Sequence, residues 1–205
     1  MDFRLLPVEE ADLPKFKYDM QEAFQLGAAA WEENLDEEIL PESHINKSLS
    51  AKGSIAYKAV VDGELFGGAI VVINGEHGDL DFLYVKSGTQ SKGIGQMIWN
   101  AIEEKHPEVI LWETCTPYFD TRNLHFYINR CGFSTVEFYN PRGIDIQLNI
   151  RNKGVIVTIM KSYHGKKCSS HRGKRFSYNN GVALSRENRR CFHHGRFNDG
   201  EGLYC

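Results

Sequence analysis

The chain predicts a mixed α/β domain with a mostly antiparallel central sheet flanked by helices, followed by a basic tail. Three observations carry this fold class. Strand-like apolar runs over 55–61, 65–73 and 80–85 are joined by Asp62-Gly63 and Asn74-Gly75, turn pairs that close antiparallel hairpins. Directly after the third run, a glycine-spaced loop opens onto a helix in which Ile94, Met97, Ile98, Ala101 and Ile102 recur at three-four spacing. The continuous apolar run 109–112 then reads as a strand buried on both faces, which makes a parallel β-α-β crossover.

The remaining elements fall around these. A short strand over 3–6 leads into a helix over about 9–30, whose buried stripe is Leu13, Phe16, Met20, Phe24 and Gly27. A second helix lies within 36–51, interrupted near Pro41. After the crossover, a helix over 121–130 ends before Gly132, a C-cap glycine, and 133–139 reads as a strand. Ile144, Ile146, Leu148 and Ile150 alternate with polar residues, and 155–160 is again strand-like, so the two form a hairpin across Asn152-Lys153-Gly154. One of its strands is placed to close the sheet beside 133–139. From Tyr163 onward Ser, Gly, Asn, Arg and His dominate without periodicity, the composition of a disordered segment. The domain is therefore expected over 1–161 and the tail over 162–205.

With 205 residues, 41% hydrophobic and 12% aromatic, the chain has apolar material for one core. No apolar run approaches the roughly twenty residues that cross a bilayer. Asp2, Arg4, Glu9 and Glu10 stand where a signal peptide needs apolar residues, so a cytoplasmic location is expected. Five cysteines (115, 131, 168, 191 and 205) at irregular spacing argue for reduced thiols. The net charge of −3 hides an asymmetry: nine Lys or Arg against three acids from Tyr163 onward leave −9 on the preceding part. An acidic body suits a cationic amine better than nucleic acid. The basic tail lacks the interleaved aromatics of a nucleic-acid surface.

The loop Gln90-Ser91-Lys92-Gly93-Ile94-Gly95 sits where a helix begins, so the first N–H groups of that helix are free. Gly93 and Gly95 place no side chain over them, the helix dipole favours a diphosphate, and Lys92 adds charge. A Walker ending is absent, and a dinucleotide site would want a third glycine and a later acidic residue. With Leu83-Tyr84-Val85 before it, the loop resembles motif A of the GNAT N-acetyltransferase superfamily, Q/R-x-x-G-x-G/A after a strand. The order of strand, two helices, meander, helix, strand, helix, strand is that family's order too.

The resemblance implies acetyl-coenzyme A as co-substrate and no metal. It makes Leu83 and Val85 backbone contacts to the acyl and pantetheine part. Gln90, Ser91, Lys92, Gly93, Ile94 and Gly95 become contacts to the pyrophosphate. The reaction it implies is direct attack of a primary amine, of a small molecule or a protein, on the thioester, which needs a neutral amine, a donor for the oxyanion and a proton for the leaving thiolate. The family's second motif usually has a tyrosine four residues before Gly-Phe and an asparagine seven before that tyrosine. Here Tyr127 is five before Gly132 and Asn123 four before Tyr127. One residue is about 100° of helix rotation, so Tyr127 as general acid requires a π-bulge to restore its phase, and Asn123 is the candidate cofactor contact.

Two carboxylates are candidate general bases. Asp81 shares a strand face with Leu83 and Val85, and Glu113 stands near the end of the next strand. Cys115 and Cys131 are more readily small buried hydrophobes than acyl carriers. Trp31, Glu32 and Glu33 fall where the family places acceptor contacts. Cys168, His171, Cys191, His193 and His194 are zinc-compatible residue types, but their spacing matches no established zinc pattern, and no metal site is assigned. The tail composition also fits an out-of-frame extension, which the other two reading frames past residue 142 decide. The reading from a different functional class is a domain that binds acyl-coenzyme A without turnover.

Overall fold

A computed structural model describes residues 1–29, 38–88, 93–117, 120–139 and 157–163, with 137–139 and 157–163 described through their backbone. Among the described residues, seven strands form one sheet in the order β1-β2-β3-β4-β5-β7-β6. The edge strand β1 (Phe3–Pro7) pairs antiparallel with β2 (Ser54–Val61). A 3₁₀ turn at Glu10–Asp12 follows, with Glu9 and Asp12 in a reciprocal capping box. It leads into α1 (Leu13–Ala28), whose Phe16, Met20 and Ala23 are buried. The second helix falls within the expected 36–51 and begins after Pro41. α2 spans Glu42–Leu49, with Pro41 as its N-cap at ψ 140°. A proline disfavours the α conformation in the residue before it, and Leu40 accordingly stays outside the helix.

β2 turns into β3 (Glu64–Asn74) through Asp62 at φ +49° and Gly63 at φ +91°, two left-handed residues that match a type I′ turn. Gly75, at φ +62°, leads β3 into β4 (His77–Val85), which begins three residues earlier than expected. Helix α3 (Ile94–Lys105) then crosses to β5 (Leu111–Pro117), parallel to β4. The apolar run at 109–112 is thus only partly strand. Val109 is buried ahead of β5, while Ile110 is 48% exposed, and the N–H groups of Ile110 and Leu111 both point at Glu76 O. α4 (Thr121–Arg130) and β6 (Ser134–Tyr139) follow as expected, with Gly132 at φ +76°. The closing strand is β7 (Val157–Tyr163), inserted antiparallel between β5 and β6.

Among the described residues, one pair of helices covers each face of the sheet. α1 and α2 pack Phe16, Met20 and Ile45 on Ile70, Phe82 and Tyr84. α3 and α4 pack Ile98, Trp99, Ile102 and Tyr127 on Val71, Leu80 and Trp112. Full burial of an Ile, Met or Phe side chain contributes about 1.5–3 kcal/mol. Gly78 is required by this packing, because a Cβ there would lie 2.4 Å from the Trp112 ring. Beyond the last turn of α3, His106 Nε2 lies 2.8 Å from Tyr57 Oη, and its Nδ1 lies 3.0 Å from Glu108 Oε1. That end of the helix is closed by side chains.

No helix among the described residues is long and apolar enough to cross a membrane. Trp31, Glu32 and Glu33, the expected strand at 144–151 and residues 164–205, with Cys168, His171, Cys191, His193 and His194, lie outside the described residues. So does the point from which an out-of-frame extension would start.

Candidate active site

The site begins with a bulge. β3 and β4 pair Ile70 with Phe82 and then Val71 with Leu80, which leaves Asp81 as an extra residue. Leu80 therefore faces α3, while Phe82 and Tyr84 face α1. β4 and β5 pair only through His77, Gly78 and Asp79 against Leu111, Trp112 and Glu113, and then part. At the apex, the Thr114 hydroxyl donates to Leu80 O at 3.0 Å. The bond from Lys86 N to Phe66 O, 2.8 Å, sets the phase of the β3–β4 ladder. By alternation, Leu83 and Val85 direct their N–H and C=O groups away from β3 and into the gap.

Helix α3 opens onto the same gap. Its N-cap is Gly93 at φ +75°, a left-handed conformation that L side chains adopt at a cost of roughly 1–2 kcal/mol. The first intrahelical bond runs from Met97 N to Gly93 O, so the N–H groups of Ile94, Gly95 and Gln96 have no acceptor in the helix. Gly95 serves a further purpose beyond clearing those donors: its Cβ position lies 3.3 Å from the Phe126 ring and 3.6 Å from Val85 Cγ2. The third wall is α4, capped by Asp120, whose Oδ1 accepts from Asn123 N at 2.9 Å. Gln96 Nε2 donates to Arg130 O at 3.1 Å and ties the two helices.

Together these walls enclose a cavity of about 480 Å³, of ordinary size for a small-molecule site. Leu83, Val85, Gly93, Ile94, Gly95 and Asn123 all line it. Gln90, Ser91 and Lys92 lie outside the described residues. The cavity also has Phe24, Gly27 and Ile39 on one side and Asp120, His125 and Arg130 on the α4 side. Three free N–H groups at a helix N-terminus, beside unpaired strand N–H groups, form a donor set that fits a diphosphate with an amide-bearing arm.

The residues expected to move protons are not gathered in this cavity. Asp81, as the bulge residue, leaves the face of Leu83 and Val85 and accepts from Ser48 Oγ of α2 at 2.5 Å. Glu113 lies where β4 and β5 are still paired, its Oε2 3.6 Å from His77 Nε2. Tyr127 is 8% exposed, its ring against Phe126 and Phe133. The extra residue before Gly132 is taken up by a wide turn: Cys131 N bonds Phe126 O and Phe133 N bonds Tyr127 O. Burial first, then the Cys131 thiol and the Asp120 carboxylate, push the phenol above its usual range, against a lowering by Thr114.

Of the two cysteines near the site, Cys131 is free and buried, and burial, with Glu103 adding, pushes its thiol up to about 12. Asp120 was not singled out in the sequence, although it stands seven residues before Tyr127, the spacing at which the GNAT pattern carries its asparagine.

A family model described as the acetyltransferase (GNAT) family matches residues 17–133. The chain is 42% identical over 135 residues to the uncharacterized protein YrkN of Bacillus subtilis, a match covering 64% of this chain and 73% of that protein. Its fold is similar to that of the ribosomal-protein-S18-alanine N-acetyltransferase of Escherichia coli, with a TM-score of 0.60 and 14% identity over 81% of this chain and 98% of the other. It is likewise similar to the spermidine N-acetyltransferase of Vibrio cholerae in complex with coenzyme A and spermine, with a TM-score of 0.56 and 16% identity over 78% and 95% of the two chains. The parted strands, the uncovered helix start and the match over more than half of the sequence lead to one conclusion: the chain belongs to the GNAT family of acetyltransferases.

Proposed function

We propose that the protein is an N-acetyltransferase that moves an acetyl group from acetyl-coenzyme A to a primary amine of a small molecule or a protein, by direct attack on the thioester. One observation carries the reading: the N–H groups of Ile94, Gly95 and Gln96 and the outward backbone groups of Leu83 and Val85 share one cavity. The first set holds the pyrophosphate, and Gln90, Ser91 and Lys92 extend that loop. Leu83 and Val85 align the pantetheine arm by its amides and hold the acyl carbonyl as its oxygen becomes negative. Asn123 contacts the arm from α4. Tyr127, kept protonated by its surroundings, returns a proton to the leaving thiolate. The transferase domain is assigned to 1–161. Fold relatives act on a ribosomal-protein alanine and on spermidine, which supports an amine acceptor of either kind.

A second reading, acyl-coenzyme A binding without turnover, is favoured by the position of Tyr127 behind the cavity wall. Thiol release from acetyl-coenzyme A against a panel of amines, measured beside thermal stabilisation by the same compound, separates the two. Stabilisation and turnover on at least one amine is the expected result. Stabilisation alone supports the binding domain, and absence of both sinks the site.

A further inference from the structure

We infer that Asp120 is the catalytic base of the transfer reaction, an inference that rests on the proposed acetyltransferase activity. Among the described residues it is the only carboxylate lining the cavity. The two acids nominated by the sequence are committed elsewhere, Asp81 to Ser48 and Glu113 to the His77 side of the closed strand pair. Asp120 stands at the open end of the strand gap, three residues beyond the end of β5, and its N–H donates to Pro117 O at 3.1 Å. Its Oδ1 is pinned by the Asn123 N–H, which fixes the plane of the carboxylate. Its Oδ2 makes no hydrogen bond among the described residues and belongs to a half-buried side chain on the cavity wall. The charge is also near the reaction's other proton carrier, since Asp120 contributes to holding the Tyr127 phenol protonated. A carboxylate acceptor thus stands on the cavity wall, with the phenol donor behind that wall against Phe126 and Phe133.

The proton balance assigns them different steps. The neutral amine attacks the thioester carbonyl carbon, a C–N bond forms, and the nitrogen becomes cationic. Attachment to that carbon makes its proton far more acidic than in the free ammonium ion, so a carboxylate is a competent acceptor for it. Asp120 Oδ2 takes that proton and passes it to solvent at the cavity mouth. The C–S bond breaks, and the thiolate takes a proton from the Tyr127 side. Asp120 hands one proton to solvent and Tyr127 regains one from it, so one neutral amine and one thioester give one amide and one thiol; where the amine arrives as its ammonium ion, the proton it sheds to solvent before attack is the net proton released.

The test uses the full chain, acetyl-coenzyme A and whichever amine of the panel the wild type turns over fastest. Asp120→Asn keeps an oxygen that can cap α4, so a capping role alone predicts near-wild-type turnover. The expected result is a fall in kcat of about 100-fold or more, with the KM for acetyl-coenzyme A within about threefold and the thermal midpoint unchanged. Asp120→Ala loses both cap and base, and added formate is expected to restore part of its kcat. Turnover of Asp120→Asn within about threefold of wild type overturns the inference, as does loss of acetyl-coenzyme A stabilisation in that variant, which would make Asp120 a cofactor contact. If the wild type acetylates no amine, the proposed activity falls as well. If it does and the variant matches it, only the base assignment falls.

Discussion

The two walls of the cavity are made of different material. The β4 and α3 wall presents backbone groups: the outward N–H and C=O of Leu83 and Val85 and the uncapped donors of Ile94, Gly95 and Gln96. The α4 wall presents side chains, among them Asp120, Asn123 and Phe126. Backbone donors are positioned by the ladder and the helix themselves, so they survive most substitutions and fail chiefly when a side chain intrudes or the local φ cannot be met. Side-chain groups depend on helix phase, which one inserted residue changes. The cofactor half of such a site is therefore the sturdier, and the chemistry half the more variable.

Substitutions on each wall are the way to break that contrast. The largest effect is expected for Gly95→Val, whose side chain would be driven into Phe126 and Val85 and over the helix donors. Acetyl-coenzyme A affinity should weaken by more than about 100-fold, roughly 3 kcal/mol, in a calorimetric titration. An unchanged affinity would move the pyrophosphate elsewhere. Next is Tyr127→Phe, expected to lower kcat about 100-fold with the KM for acetyl-coenzyme A unchanged. Undiminished turnover would give the thiolate its proton from solvent instead.

Asn123→Ala removes one polar contact from the side-chain wall, and about 1 kcal/mol, or less than tenfold in affinity, is the expected loss. Gly93→Ala meets nothing within 4 Å, so it separates strain from obstruction. It should lower stability in urea by about 1 kcal/mol through its left-handed φ, while affinity stays within about threefold. The smallest effect concerns the far end of α3. Its own backbone N–H and then His106 hold the Glu108 carboxyl below its usual range. Stability from a depressed carboxyl pKa is present above the unfolded value and lost as pH falls through the folded one. The thermal-midpoint gap between wild type and Glu108→Gln should thus be open at pH 6 and close towards pH 3.

The division between the walls also explains what could be read before any coordinates. Asp62-Gly63 marks its turn because both positions need left-handed φ, and the apolar spacing from Ile94 to Ile102 marks a helix start at a glycine. These are local signals, and they sufficed for the order of elements along the chain and for bringing Leu83, Val85, Gly93, Ile94 and Gly95 to one cavity. Asp81 was misplaced because a bulge is a property of two paired strands, and alternation within one strand cannot reveal it. Residues 109–112 overstated β5 because Val109 is buried from a loop. The spacing of Tyr127 before Gly132 shows that one residue is extra, but only the bond from Cys131 N to Phe126 O shows where the wider turn takes it up. Asp120 went unnoticed because its chemical type differs from the amide that the spacing suggests.

The most direct test follows the backbone amides themselves. In ¹⁵N-¹H spectra of the full chain titrated with acetyl-coenzyme A, the amides of Ile94, Gly95, Gln96, Leu83 and Val85 should shift together at one saturating ratio, while those of Tyr57 and His106, at the closed end of α3, stay in place. Saturable binding that leaves 94–96 unmoved, or no binding at all, would contradict the assignment of this cavity to acyl-coenzyme A.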